Sequence, residues 1–250
     1  MKKIFIFVII SSFALCIDAQ ETKEGVVRYL VTHDWVKKLQ AVDYISKDRK
    51  EKISYTWGNR SQWKEFGNLY FKGSLTKYED SEEKAEADYE GYSWRRDEFF
   101  IYRDLSQNKI FDIIKSLGKV YIIEDTLVPQ KWKVMNDIKE VAGHICMNAQ
   151  WTDTVKKQHV TAWFALDIPL SGGPERFCGL PGLILEIDIN NGAQIFTADK
   201  IEFKSTGDKT TPPLKVKGKK VSESQYMEKL ARYIAEKREA EDPWFWGMRY

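Results

Sequence analysis

Cysteine is scarce, with three in 250 residues. That excludes a disulfide-dense scaffold, and no two cysteines stand at the spacing of a Cys-rich zinc site. Histidine also occurs only three times, with neither an H-x-x-x-H nor an H-E-x-x-H pair. No charge sign prevails: 39 Lys and Arg oppose 37 Asp and Glu, for a net charge of +2. Without a cationic excess to neutralise phosphates, nucleic acid is not an expected partner. Past the N-terminus no apolar run approaches the ~18 residues that read as a membrane span. The G-x-S-x-G elbow, the P-loop and the dinucleotide fingerprint are all missing, and no cofactor is expected.

What is present is apolar and aromatic: 43% hydrophobic residues and 14% Phe, Trp and Tyr. This is enough for a sizeable core and unlike a disordered or collagenous chain. Residues 1–19 read as a signal peptide. Lys2 and Lys3 lead an apolar run from Ile4 to Leu15, and Ala19 offers a small residue before the cut. Cys16 follows Leu15, which is bulkier than a lipoprotein processing site accepts. The rest, 20–250, is expected to be a single exported β-rich domain. Its two cysteines, Cys146 and Cys178, have two readings. An oxidising compartment allows a bridge closing a loop of about 30 residues, worth about 3 kcal/mol. The alternative is two buried thiols packing as small hydrophobes. The bridge is the expectation.

Along the chain, apolar residues mostly alternate with polar ones between turn signals. Strands are expected at 26–32, 39–45, 53–57, 99–103, 109–114, 120–124, 131–135, 145–152, 160–167, 183–189 and 194–203. Lys47 to Lys50 reads as a polar turn, and Glu79 to Glu90 as a solvated loop. Asn191-Gly192 is the strongest hairpin signal, because a type I′ turn needs positive φ at both central residues. Leu180-Pro181-Gly182-Leu183 fits a type II turn with Gly182 at the positive-φ position. One helix is expected at about 222–241: Ser222 and Gln225 match a capping box, and Tyr226, Leu230, Tyr233 and Ile234 form its stripe. Trp244-Phe245-Trp246 should pack on the sheet or cap an opening. The fold class is mainly β: a curved antiparallel meander, half-barrel-like, with a C-terminal helix on or near it.

The densest motif is Gly173-Pro174 followed by Gly179-Leu180-Pro181-Gly182-Leu183-Ile184. A rigid lead-in to a core strand accounts for these residues; a binding loop is the alternative. Together with Trp132 to Val134, Lys139 to Gly143, Thr161 to Phe164 and Asp167 to Pro169, they resemble the GLPGLI family of exported bacterial proteins. The resemblance implies export in bacteria with two membranes, placing the protein in the periplasm or against the outer membrane. Its members are often encoded near TonB-dependent outer-membrane transporters. No activity is established for the family, so it supplies no catalytic residue. The strand order is also similar to the half-barrel of periplasmic lipoprotein carriers, a likeness of fold only.

Candidates for chemistry are sparse. His33 with Asp34, and His144 with Cys146, are conceivable metal-ligand pairs. Cys178 could be pictured as a nucleophile, and Glu186 with Asp188 as paired carboxylates. Each has a plainer reading as a turn, core or strand-face residue. The leading expectation is a non-enzymatic envelope protein that binds an apolar ligand or a protein partner, such as an outer-membrane transporter. Its pocket would lie between the sheet and the helix or aromatic tail. The alternatives are a pocketless interaction module and a hydrolase with a site near Cys178, His159 or Glu186.

Overall fold

The computed structural model describes residues 23–58, 60–85 and 97–250. The signal-peptide reading lies outside them, as do Trp94 and the Glu79–Glu90 stretch from residue 86 onward. In chain order the elements are β1 (Glu24–Asp34), α1 (Trp35–Ala41), α2 (Lys47–Trp57), β2 (Gln62–Lys72), β3 (Leu75–Asp80) and β4 (Glu98–Asp104). Next come β5 (Lys109–Ser116), β6 (Lys119–Thr126), β7 (Lys133–Val141), β8 (His144–Asp153) and β9 (Gln158–Ala165). The chain ends with β10 (Leu183–Ile189), β11 (Gln194–Phe203), β12 (Lys219–Val221), α3 (Glu223–Glu239) and a 3₁₀ turn at Trp244–Trp246.

The strands form one twelve-stranded sheet in the order β12-β6-β5-β4-β3-β2-β1-β11-β10-β9-β8-β7. Two meanders, β1 to β6 and β7 to β11, are joined through the antiparallel β1–β11 pair. Every pairing is antiparallel except β12, which lies parallel to β6. The expected meander is therefore present, with one short parallel strand added. The sheet does not close, since β12 and β7 remain at its two ends.

One face of the central strands is mostly apolar. Val27, Tyr29 and Val31 of β1 and Ile187 and Ile189 of β10 are buried at the period of two that sheet geometry dictates, and a register shift between Ile184 and Glu186 brings Ile184 onto the same face. Helix α3 covers part of this face. Ser222 accepts from the Gln225 N–H at 3.2 Å while Gln225 Oε1 accepts from the Ser222 N–H at 3.1 Å, completing the capping box. Tyr226, Leu230 and Ile234 are its buried stripe, and Tyr226 meets Tyr121 of β6 edge-on at 5.6 Å between ring centres. As expected, the aromatic tail packs down: Trp244 and Phe245 are buried, and Trp244 stacks on Tyr250 at 5.4 Å.

The extended candidates at 39–45 and 53–57 are corrected. Trp35 to Ala41 and Lys47 to Trp57 are helical. Asp34 caps α1 by accepting from the Lys37 N–H at 3.0 Å, and Ser46 caps α2 by accepting from the Arg49 N–H at 3.3 Å. No residue of α2 is fully buried. Ile53 and Trp57, four residues apart, are half-buried, with Trp57 against Trp35 and Trp246, while Tyr55 between them is exposed, so the spacing is helical rather than alternating. Lys47 to Lys50 is the first turn of this helix rather than a polar turn between strands. Glu79 belongs to β3 rather than to a solvated loop. Strand β2 carries no clear sequence signal because Gly67 interrupts it. A Cβ at Gly67 would come within 2.0 Å of the Tyr78 hydroxyl, which lies across the strand there.

Turn chemistry is also revised. Asn191 and Gly192 both have positive φ, as expected, but Asn190 does too, and Ile189 pairs with Gln194 around a four-residue loop. Gly182 is not among the positive-φ residues, so the 180–183 segment is no type II turn; Gly179 has φ +93° instead. Gly182 is required for a different reason: a Cβ there would lie 2.1 Å from the Ala165 carbonyl oxygen. Gly182→Ala should therefore destabilise the fold by about 3 kcal/mol, as overpacking does. At Gly118, with φ +71° and nothing within 4 Å, alanine should cost only about 1 kcal/mol. Urea unfolding of both variants measures the contrast.

Candidate functional site

A cavity of about 410 Å³ opens beneath α3. Its walls come from β4, β5 and β6 on one side and from β8 and β9 on the other. These strands lie on opposite sides of the central β1–β11 pair in the sheet order, so the sheet must curl for both to line one space. The segment 175–177, α3 and residues 248–250 complete the enclosure.

Most of the lining is apolar: Phe99, Leu127, Trp151, Phe177, Met227 and Leu230. Phe177 bridges Trp132 and Trp151, with ring centres 6.3 and 6.4 Å away, and the Trp132 indole donates to the Cys178 carbonyl at 2.8 Å.

Charge is built into the same walls. Arg103 of β4 forks onto Asp112 of β5, which is completely buried. Arg176 reaches the same Asp112 at 3.2 Å and also pairs with Glu223 at the start of α3. Arg249, 6% exposed, pairs with Asp80 at 2.5 Å and Glu175 at 2.8 Å, and its backbone N–H donates to Asp97 at 2.7 Å. Its guanidinium lies 4.2 Å above the Phe99 ring. Lys156 donates to the main-chain oxygens of Arg249 and Tyr250 at 3.1 and 2.8 Å, and burial lowers its pKa. Burial pushes Asp80 up to about 6 in spite of Arg249, with Glu175 and Asp97 pushing the same way.

A smaller cavity of about 50 Å³ adjoins the tail. There Lys38 Nζ lies 2.7 Å from His33 Nδ1, and His33 Nε2 lies 2.8 Å from Glu65. Lys38 is 1% exposed and sits between the faces of Trp35 and Tyr250, at 4.5 and 4.7 Å. Nothing in the sequence marks this lysine out from its neighbour Lys37. Only the docking of the tail buries it.

The sequence-derived candidates do not converge. Cys146 and Cys178 are both free and buried, so the expected bridge is not formed. They occupy different surroundings: Asp167, Lys139 and Glu186 act on Cys146, whereas Arg103, Arg176 and Asp112 act on Cys178. Burial pushes the Cys146 thiol up to about 11 and raises that of Cys178, leaving neither activated as a nucleophile. The His144 ring pairs with Asp167 at 2.6 Å, not with Cys146. Asp34 caps α1 while His33 turns to Lys38 and Glu65, which separates that pair as well. His159 is exposed, Glu186 is paired with Lys139, and Asp188 accepts from the Gly192 N–H at 2.6 Å. Among the described residues no three His, Cys, Asp or Glu side chains gather as a metal site, and no helix is long and apolar enough to cross a membrane.

The glycine-rich motif is scaffold for the cavity wall. Leu180, Leu183 and Ile184 are buried, and the Ile184 carbonyl accepts from the Tyr29 hydroxyl at 2.6 Å. Pro174 is buried, Pro181 is exposed, and a Cβ on Gly173 would meet the Phe177 carbonyl oxygen at 2.9 Å. The motif thus pins both ends of the segment that presents Glu175, Arg176 and Phe177 to the cavity. The sequence drew attention to this motif but not to the three residues it positions.

A family model described as a protein of unknown function (Porph_ging) matches residues 150–186, which include that segment and the motif through Ile184. This fits an uncharacterised bacterial family and supplies no evidence of catalysis. No curated protein matches. Two solved structures of PNGF-II, in P21 and C2 space groups, share the fold with TM-scores of 0.54 and 0.52 at 11% and 12% identity. Each match covers 84% of this chain and 33% of the PNGF-II chain. The chain thus spans about a third of the length of the protein it resembles.

Asp80, paired with the cavity-lining Arg249, is responsive to pH. Folded, it holds its proton up to about pH 6; at its ordinary pKa of 3.8 it would already be ionised. Between those values the folded state binds more protons, so its contribution to stability is present at the acid end and falls as pH rises. Urea unfolding across this window should show wild-type stability declining more steeply with pH than that of Asp80→Asn.

Proposed function

We propose that this is a non-enzymatic exported envelope protein of the GLPGLI type that holds an apolar ligand beneath α3. The observation that carries the reading is the cavity. Its volume of about 410 Å³ falls within the roughly 300–1,000 Å³ of small-molecule sites, and it combines an apolar lining with a few fixed polar groups. The Gly179–Ile184 motif and the apolar leader at 4–15 support the family and the export. The raised pKa of the buried Cys178 thiol and the pairing of Glu186 with Lys139 weigh against the hydrolase alternative. Native mass spectrometry of protein taken gently from its envelope should find a stoichiometric extra mass that organic extraction removes. Leu230→Trp, which fills the cavity from α3, should abolish that mass and leave the circular-dichroism spectrum unchanged. A bare wild-type chain would count against the carrier.

A second reading rests on β7. Among the described residues it is an edge strand, and Val134 and Ile138 are 49% and 68% exposed on it. An exposed apolar edge accepts a strand from a partner by main-chain pairing. An outer-membrane transporter is the proposed partner. A photo-crosslinker at Ile138 should then capture such a transporter in cells. A chain recovered alone would tell against this reading.

A further inference from the structure

Between β11 and β12 the chain crosses the face of the sheet opposite the cavity. Lys77 of β3 and Tyr102 of β4 pair across their strands and so share a face, while the next residue, Arg103, lines the cavity. Thr206, Asp208, Lys209, Thr211 and Pro213 gather around Lys77 and Tyr102. At the other end Gly218 lies so close to β6 that a Cβ there would come within 3.0 Å of Val120. Val221 is buried where β12 pairs with β6. Both ends of this strap are fastened to the sheet, and its middle carries exposed side chains.

Those side chains are of one sign. Residues 209–222 hold five lysines and no acid. Lys209 lies 4.0 Å from Glu79. Lys215, Lys217, Lys219 and Lys220 are exposed, and among the described residues none of the four forms an ion pair. Lys200 and Lys204, earlier in the chain, are both paired with Glu202. Lys119, exposed at the start of β6, precedes the Val120 that Gly218 meets. The exposed acids nearby in sequence and pairing are Asp208, ahead of the run, and Glu124 on β6. Like charges this dense repel one another, and an anionic partner removes that repulsion.

Leu214 decides which anion. It is fully exposed, more so than any other large hydrophobic side chain described, and Lys215 follows it directly. A soluble polyanion would answer the lysines and leave this leucine in water. A bilayer interface takes both, phosphates for the ammonium groups and the acyl boundary for the leucine. We propose that this strap docks the protein on an anionic phospholipid surface, with Lys215, Lys217, Lys219 and Lys220 on headgroup phosphates and Leu214 at the acyl boundary. None of these residues lines the cavity, so the proposal stands whether or not the cavity holds a ligand.

The test is co-sedimentation of the purified protein with phosphatidylcholine vesicles and with mixed phosphatidylcholine–phosphatidylglycerol vesicles. Only the mixed vesicles should carry it down, and about 1 M salt, where the Debye length is about 3 Å, should release it. Lys215→Gln, Lys217→Gln, Lys219→Gln and Lys220→Gln together should weaken binding about tenfold or more, since one lysine is worth about fivefold at such a surface. Leu214→Ser should weaken it about fivefold. All five positions are exposed, and an unchanged circular-dichroism spectrum shows that the variants fold. Equal binding to both vesicles, or binding that survives the four Gln substitutions, would overturn the proposal, as would no binding to either. Release by inorganic phosphate at the phosphate concentration of the vesicles would make a free anion the ligand and overturn it too. Polyglutamate held as tightly as the mixed vesicles, with Leu214→Ser changing neither, would assign the strap to an acidic protein instead.

Discussion

An open sheet with one apolar face has no partner sheet to cover it, and everything else in this molecule answers that constraint. The hydrophobic face of β1, β10 and their neighbours must leave water. The chain achieves this by curling the sheet and laying α3 and the aromatic tail across the hollow. The cover is incomplete over the region between β4–β6 and β8–β9, and that remaining space is the cavity. Fold and site therefore arise from one packing problem.

The cover is fastened by charge rather than by grease alone. Arg249 ties the tail to Asp80 on β3, to Glu175 in the segment between the two halves of the glycine-rich motif, and through its backbone to Asp97. Arg176 ties that same loop to β5 and to the first turn of α3. Ion pairs taken out of water add little net stability over an apolar replacement, but losing one partner strands the other. Such a network specifies one position for the lid. It also brings polarity into a cavity that an all-apolar core would have made purely oily.

Much of the fold was legible in the residues. The alternating strands from β4 to β11, the capped helix and the buried tail all follow from period, capping and turn chemistry. The errors have physical causes. In α2 only Ile53 and Trp57 supply an apolar stripe, and with the exposed Tyr55 between them they pass for a strand. Gly67 and Gly182 look like breaks or turns because local rules assign glycine to conformation. Here the approach of Tyr78 and of the Ala165 carbonyl demands the missing Cβ. The candidate site was legible only as a place, between sheet and helix; its polar members were not.

The sequence by itself determined the class of fold, because hydrophobic period is a local property that each strand carries alone. It also determined the absence of a recognisable catalytic motif and the position of the glycine-rich segment. Tertiary structure alone decided which charges meet. Arg103 and Asp112 share a face of adjacent strands, but Arg249 and Asp80 lie 169 residues apart. Lys38 becomes a buried group only when Tyr250 lies over it. The fate of the two cysteines was decided at the same level, since a bridge depends on the separation of two side chains in space and not on their spacing along the chain.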